Sequence, residues 1–192
     1  AGASAEEGRG IAMLAHHLET LARSLSGDVT LHLVGHSAGA YVVGRLLSRL
    51  TERGLGTASC TLYAPACDLA FAQSHFAASI DAGRLRRECF AVHALADARE
   101  RDDSVGPYRK SLLYLVSRAL ERQHRTPLLG LAGAFDAARA DAEWWHDDWV
   151  DDVALWQHWF WGVDRGGPPG GFAEGGAPAP GGGLFLTAAK SV

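Results

Sequence analysis

Residues 29–44, VTLHLVGHSAGAYVVG, constrain the fold of this chain more than any other stretch. Val29, Leu31 and Leu33 alternate with Thr30 and His32, and Val34 then closes an apolar run short enough for a buried strand. Beyond it Val42, Val43, Leu46, Leu47 and Leu50 recur at helical spacing. Gly35-His36-Ser37-Ala38-Gly39 lies between the two patterns, so Ser37 falls where a strand turns sharply into a helix. A G-x-S-x-G joint of this kind holds its serine in a strained backbone conformation with the hydroxyl projecting above the sheet. Side chains at Gly35 and Gly39 are expected to collide with the neighbouring strand or helix. The helix N-terminus leaves free N–H groups beside the hydroxyl, which makes the Ala38 N–H the natural oxyanion donor. The alternative for the same residues is a tight strand-to-helix turn with an inert serine.

The flanking segments extend this into a layered pattern. Over residues 5–25 the apolar Ile11, Leu14, Leu18, Leu21 and Leu25 mark one helical face, with Glu6, Glu7, Glu19 and Arg23 mainly on the other. After the second helix, Gly54 and Gly56 signal a stop and residues 59–63, SCTLY, read as the next strand. Residues 87–95, RECFAVHAL, read as a further strand, with Phe90, Val92 and Ala94 alternating against Ala91, His93 and Leu95. Residues 108–122 carry Leu112, Leu113, Val116, Ala119 and Leu120 on one side and predict another helix. Strands and helices in alternation predict an α/β domain over residues 1–164, with a mostly parallel sheet and helices on both faces. The connection after residues 59–63 includes LAFAQSHFAASI, which reads as a pocket-lining or lid segment, and Cys67 beside it is placed to line the pocket.

The LVGHSAGA string around Ser37 resembles the α/β-hydrolase superfamily, in particular its esterase, lipase and acyl-hydrolase members, and the resemblance runs over about residues 5–125. It implies a serine, acid, histidine triad in that chain order. Two candidates suit the acid. The run Val92-His93-Ala94-Leu95-Ala96-Asp97 resembles the V-H-G-x-x-D that ends this strand in many hydrolases, while Asp103, four residues before Pro107, resembles their D-x-x-x-P. Asp97 is the first choice and Asp103 the second. As bare residues, the same acids make a solvated turn that caps the helix starting near Pro107. The tract ERDD followed by SLLYLVSRALE resembles a group of bacterial hydrolases of unassigned substrate.

The base is harder to place. His75 precedes both acids and reads as a surface or pocket residue, which leaves His124, His146 and His158. In the hydrolases that the chain resembles, the base precedes a Gly-Gly-Phe near the C-terminus, and here Pro169 occupies the corresponding place. His158 or His146 must then reach Ser37, and His158 is taken as the candidate. His36 and Cys67 are expected to line the substrate site. The family's earlier strands, with the loop that supplies a second oxyanion donor, have no counterpart, and a sheet beginning at the Ser37 strand exposes that strand as an edge, so either a partner chain covers it or the polypeptide is a shortened version of a longer one.

A net charge of −4 without a basic stripe argues against nucleic acid as a main partner; Arg84, Arg86 and Arg87 read as a solvated surface turn. No run is long and apolar enough to span a membrane. Cys60, Cys67 and Cys89 lack metal-ligand spacing and a disulfide framework, which fits a reduced, cytoplasmic setting with no metal and no organic cofactor. All six tryptophans fall in residues 144–161, where Trp145, Trp149, Val153, Trp156 and Phe160 share a helical stripe. Residues 165–192 are rich in glycine and proline and read as a disordered tail. The function expected from these features is a serine hydrolase acting on a small ester or thioester. The rival expectation is a non-catalytic binding module that keeps the hydrolase scaffold.

Overall fold

The computed structural model describes residues 3–25, 29–95, 97–135 and 183–187. It is a mixed α/β arrangement around a parallel sheet. Helix α1 (Ala3–Ser24) leads into strand β1 (His32–His36), which is followed by α2 (Gly39–Glu52) and β2 (Ser59–Tyr63). A short α3 (Leu69–Ala72), a π-turn (Gln73–Ala77) and α4 (Ala78–Asp81) connect β2 to β3 (Phe90–Leu95). Helices α5 (Asp97–Asp102) and α6 (Leu112–Leu115) follow, and β4 (Gly183–Thr187) completes a sheet ordered β1-β2-β3-β4 with every pair parallel. The expected disorder of residues 165–192 therefore does not hold for residues 183–187, which pair along β3.

Because the strands follow one another in a single direction, right-handed crossovers place their helices on one face. The burial pattern agrees. Leu33, Cys60, Leu62, Phe90, Val92 and Ala94 are buried beneath α2 and its neighbours, whereas Val34 is 66% exposed and Tyr63 is 45% exposed on the opposite face. The expectation of helices on both faces is met on one face only among the described residues. Helix α1 packs chiefly on α2 through Ala15, and the α3–α4 segment lies against α2 as well.

Two element boundaries and the role of one segment differ from the sequence pattern, each for a local reason. Strand β1 runs on through Gly35 and His36, since a Cβ at Gly35 would stand 3.0 Å from Leu62 Cδ2 and 3.2 Å from Val43 Cγ2; only glycine lets β2 and α2 close on it. LAFAQSHFAASI is not a lid: Leu69, Ala72 and Phe76 are fully buried, and Asp68 caps α3 by accepting the Phe71 N–H at 2.6 Å. The helix expected from residue 108 starts only after Ser111, whose hydroxyl accepts the Tyr114 N–H at 3.3 Å. Tyr108 instead exchanges backbone bonds with Val105, and the segment Val116–Leu120 continues α6 as a π-turn.

Candidate active site

The carboxyl end of β1 stores backbone strain. Ser37 has φ +51°, a left-handed conformation that a side chain disfavours. Its neighbours hold it there: the Ser37 N–H donates to Tyr63 O at 2.9 Å, and its carbonyl accepts the Ala40 and Ala66 N–H groups, both at 3.1 Å. Strain of this kind, about 1–3 kcal/mol, survives only where surrounding bonds over-determine it. The Ser37 hydroxyl is half-buried and forms no hydrogen bond among the described residues. Ala38 is exposed at the N-cap of α2, and its N–H finds no acceptor there either. A hydroxyl oxygen and a free amide thus stand together at a helix N-terminus, where the macrodipole favours developing negative charge.

Gly39 corrects the expectation drawn from the pattern. A Cβ at this position meets nothing within 4 Å, so a side chain here collides with neither strand nor helix. Gly39→Ala is therefore expected to leave stability unchanged or raise it by about 0.5–1 kcal/mol, since alanine loses less backbone entropy in a helix. A urea titration of the two proteins measures it.

The acids take up different roles from those the spacing implied. Residues 97–102 are helical rather than a loop. Asp97 begins α5 two strands away from Ser37, a lateral distance of about 10 Å at ~4.8 Å per strand, so only a third side chain can connect them. Its Oδ1 accepts the Tyr114 hydroxyl, and its Oδ2 pairs with Arg101 Nε at 2.8 Å. That network joins α5 to α6. Asp103 is exposed, and its carboxylate accepts the Ser104 N–H at 2.8 Å, a local turn contact.

Sequence reading passed over Glu100, which is 2% exposed with one carboxylate oxygen lacking any partner. Burial is the main cause that pushes its carboxyl above the ordinary glutamate value; Asp103 and Asp97 add to this, and a hydrogen bond with Ser111 opposes it. A raised folded value means the native state holds this proton more tightly than the unfolded chain. The stability so contributed is complete below the ordinary glutamate range and is lost as pH rises through the folded value. Glu100→Gln is accordingly expected to raise the melting temperature more at pH 8 than at pH 4. A gain of about 1 kcal/mol corresponds to roughly 2–4 °C, readable by calorimetry at the two pH values.

No imidazole among the described residues bonds to Ser37. His75, on the π-turn, meets Ser48 Oγ through Nδ1 at 2.6 Å, and Ser48 lies about 16 Å along α2 from Ser37 at ~1.5 Å per residue. Burial, reinforced by Arg45, holds His75 below its ordinary value. His36 is exposed on the uncovered face, in the row His36, Tyr63, His93 that runs across the three strands. Tyr63 and His93 stack there with ring centroids 4.7 Å apart. His124 is exposed. His146 and His158 lie outside the described residues, as do the tryptophan stripe and Pro169. Cys67, expected to line the site, is fully buried, and desolvation drives its thiol far up, so it is a packing residue.

At the same end of the sheet a cleft of about 360 Å³ is lined by Asp68, Glu121, Arg122, Gln123 and Thr126. Tyr41, one turn beyond Ser37 on α2, bonds to Glu121 at its rim. Burial and the nearby Asp68 raise the Glu121 carboxyl, and burial raises the Tyr41 phenol. The only signal for this cleft in the sequence was Tyr41, four residues after Ser37 on a helix. Among the described residues no group of three or more His, Cys, Asp and Glu side chains is arranged to hold a metal ion, and no helix is long and apolar enough to cross a membrane. No protein-family model, curated protein or solved structure matches the chain.

Proposed function

We propose that the chain is a serine acyl hydrolase of the α/β-hydrolase class, cleaving small carboxylic esters or thioesters through Ser37. The observation that carries this reading is the strained Ser37 backbone at a strand–helix joint, its hydroxyl beside the free Ala38 N–H. A nucleophile elbow has these features because the oxygen must stand clear of its own backbone and face an oxyanion donor. In the first step Ser37 Oγ attacks the carbonyl carbon while its proton passes to a base, for which the reading takes His158. The carbonyl electron pair moves onto oxygen, facing the Ala38 N–H, and returns as the bond to the leaving group breaks. The alcohol or thiol departs with the base's proton. Water then attacks the acyl-serine, giving the carboxylic acid and restoring Ser37. Asp97, or Asp103 in its place, orients the base.

The second reading, a non-catalytic scaffold that binds without turnover, is favoured by the lack of any hydrogen bond from an imidazole to Ser37 among the described residues. A serine elbow without its base keeps only a small residual rate. Labelling of the native protein with a fluorophosphonate, followed by peptide mass mapping, separates the two. An adduct on the peptide containing Ser37 supports the hydrolase; folded protein with no adduct, or an adduct on Ser48 beside His75, overturns it.

A further inference from the structure

The cleft lined by Asp68 and Glu121 is tied to the Ser37 elbow through the backbone. Tyr41 follows Ser37 by four residues, a rise of about 6 Å along α2 at ~1.5 Å per residue. Asp68 stands two residues past Ala66, whose N–H bonds to Ser37 O at 3.1 Å. The facing wall is laced to the same loop: Asp68 bridges to Leu128, and Leu129 N–H donates to Cys67 O at 2.8 Å. Elbow and cleft thus belong to one framework, within the span of a single small molecule.

The polar groups of the cleft are held by their neighbours. The Phe71 ring lies on α2 at Gly44, where a Cβ would come within 2.6 Å of Phe71 Cε1, and it meets the Tyr41 ring edge-on with centroids 4.7 Å apart. That contact fixes Tyr41, whose phenol lies beside the Asp68 backbone N–H and bonds to Glu121. Asp68 accepts the Phe71 N–H through Oδ1 at 2.6 Å, and its second oxygen has no partner among the described residues. The Thr126 hydroxyl donates to Gln123 O at 2.8 Å and closes the turn that carries the far wall. Two carboxylates half-buried in one cleft repel each other. Burial first, and then Asp68, hold the Glu121 carboxyl above its ordinary value, and a cation between the two removes that repulsion. Arg122 also lines the cleft but is exposed to water and screened, so the half-buried part stays negative.

We propose that this cleft holds a protonated amine on the substrate of Ser37, so that the chain acts on small esters or thioesters bearing an ammonium group a few bonds from the scissile carbonyl. The inference rests on the hydrolase reading of Ser37. Asp68 and Glu121 accept N–H bonds from the ammonium, charge-assisted contacts that recognise its donors as well as its charge. A cleft of about 360 Å³ has room for such a group and its linker. An apolar acyl chain in the same place would strip water from both carboxylates and give them no partner, which is costly. A metal ion fits less well, since among the described residues no group of three or more His, Cys, Asp and Glu side chains is arranged to hold one.

The test is calorimetric titration of the full chain with 4-aminobutanamide and with pentanamide, which carries a methyl group in place of the ammonium. The amine is expected to bind about tenfold tighter at neutral pH. That preference is lost in Glu121→Gln, which keeps an acceptor for Tyr41, and in Asp68→Asn, which keeps the α3 cap. Equal affinity for the two amides, no binding of the amine, or a preference that survives both substitutions overturns the proposal. Hydrolysis of ethyl 4-aminobutanoate and ethyl pentanoate separates it from the reading on which it rests. A kcat/KM about tenfold higher for the amino ester supports both, and equal kcat/KM for the two esters overturns the ammonium site while leaving Ser37 a nucleophile. Preferential binding of the amine with turnover of neither ester overturns the hydrolase and with it the substrate role, the cleft remaining a site for ammonium ligands.

Discussion

Ser37→Ala is expected to abolish fluorophosphonate labelling and to lower ester hydrolysis by about a thousandfold or more, because loss of a nucleophile leaves only oxyanion and binding contributions. Alanine alone does not separate a catalytic serine from a structural one, and Ser37→Gly does. At φ +51° a side chain costs about 1–2 kcal/mol, which glycine relieves, while glycine's extra unfolded-state entropy takes back about 0.5–1 kcal/mol. The net expectation is a protein as stable as the parent or more stable by up to about 1.5 kcal/mol, at most roughly 3–6 °C in melting temperature, and inactive. A site that gains stability when its function is removed is the signature of strain kept for function. Retained turnover in both variants sinks the nucleophile assignment. A marked loss of stability in Ser37→Gly shows instead that the hydroxyl holds the fold together.

How much of this was legible in the sequence depends on how local the cause was. The alternation of Phe90, Val92 and Ala94 was visible as period two, and it buries those three residues as read, because the pleat alone decides it. Gly54, with φ +74°, ends the turn after α2 where the glycine signal fell. Gly35 was legible in part: its close packing was expected from the motif, but its place inside β1 was not, because the side chains that leave no room there belong to Leu62 of β2 and Val43 of α2. Leu69, Ala72 and Phe76 did carry a helical spacing; the motif next to them drew attention to a lid that packing fills instead.

The candidate site divides along the same line. The elbow is a local object, made by strand, turn and helix within some twenty residues, and its strain, its free amide and its close-packed Gly35 were all inferable from that stretch. The acid and base are long-range objects. Asp97 was found by its place after β3, but its partners, Tyr114 and Arg101, come from α6 and the far end of α5, and nothing in the V-H-x-x-x-D spacing announces them. Glu100 escaped notice because a buried carboxylate looks the same in sequence as the exposed Asp102 and Asp103 beside it.

Gly130→Ala is expected to destabilise the protein more than any other single methyl addition discussed, and to disable the elbow with it. Residues 127–131 lace onto the loop after β2: Leu69 N–H bonds to Pro127 O at 3.3 Å, Leu129 N–H to Cys67 O at 2.8 Å, and Gly130 N–H to Pro65 O at 2.9 Å. A Cβ on Gly130 would lie 2.5 Å from Pro65 O, 2.7 Å from Pro65 N and 2.8 Å from Ala64 C, all backbone atoms that no rotamer change can move. The loop has little freedom to retreat, since Pro65 fixes its own φ and Ala64 already sits at φ +42°. Overpacking against such a wall costs about 1–3 kcal/mol or more, a fall of roughly 2–12 °C in melting temperature. The same loop donates the Ala66 N–H to Ser37 O, so any shift that relieves the clash loosens the bond that keeps Ser37 strained. Urea unfolding and fluorophosphonate labelling of one preparation are therefore expected to fall together, labelling being lost even at temperatures where the variant is folded. If Gly130→Ala unfolds at the parent's urea concentration, the lacing of residues 127–131 onto this loop is wrong. Full stability loss with undiminished labelling of the folded fraction would mean that the Ala66–Ser37 bond does not hold the elbow.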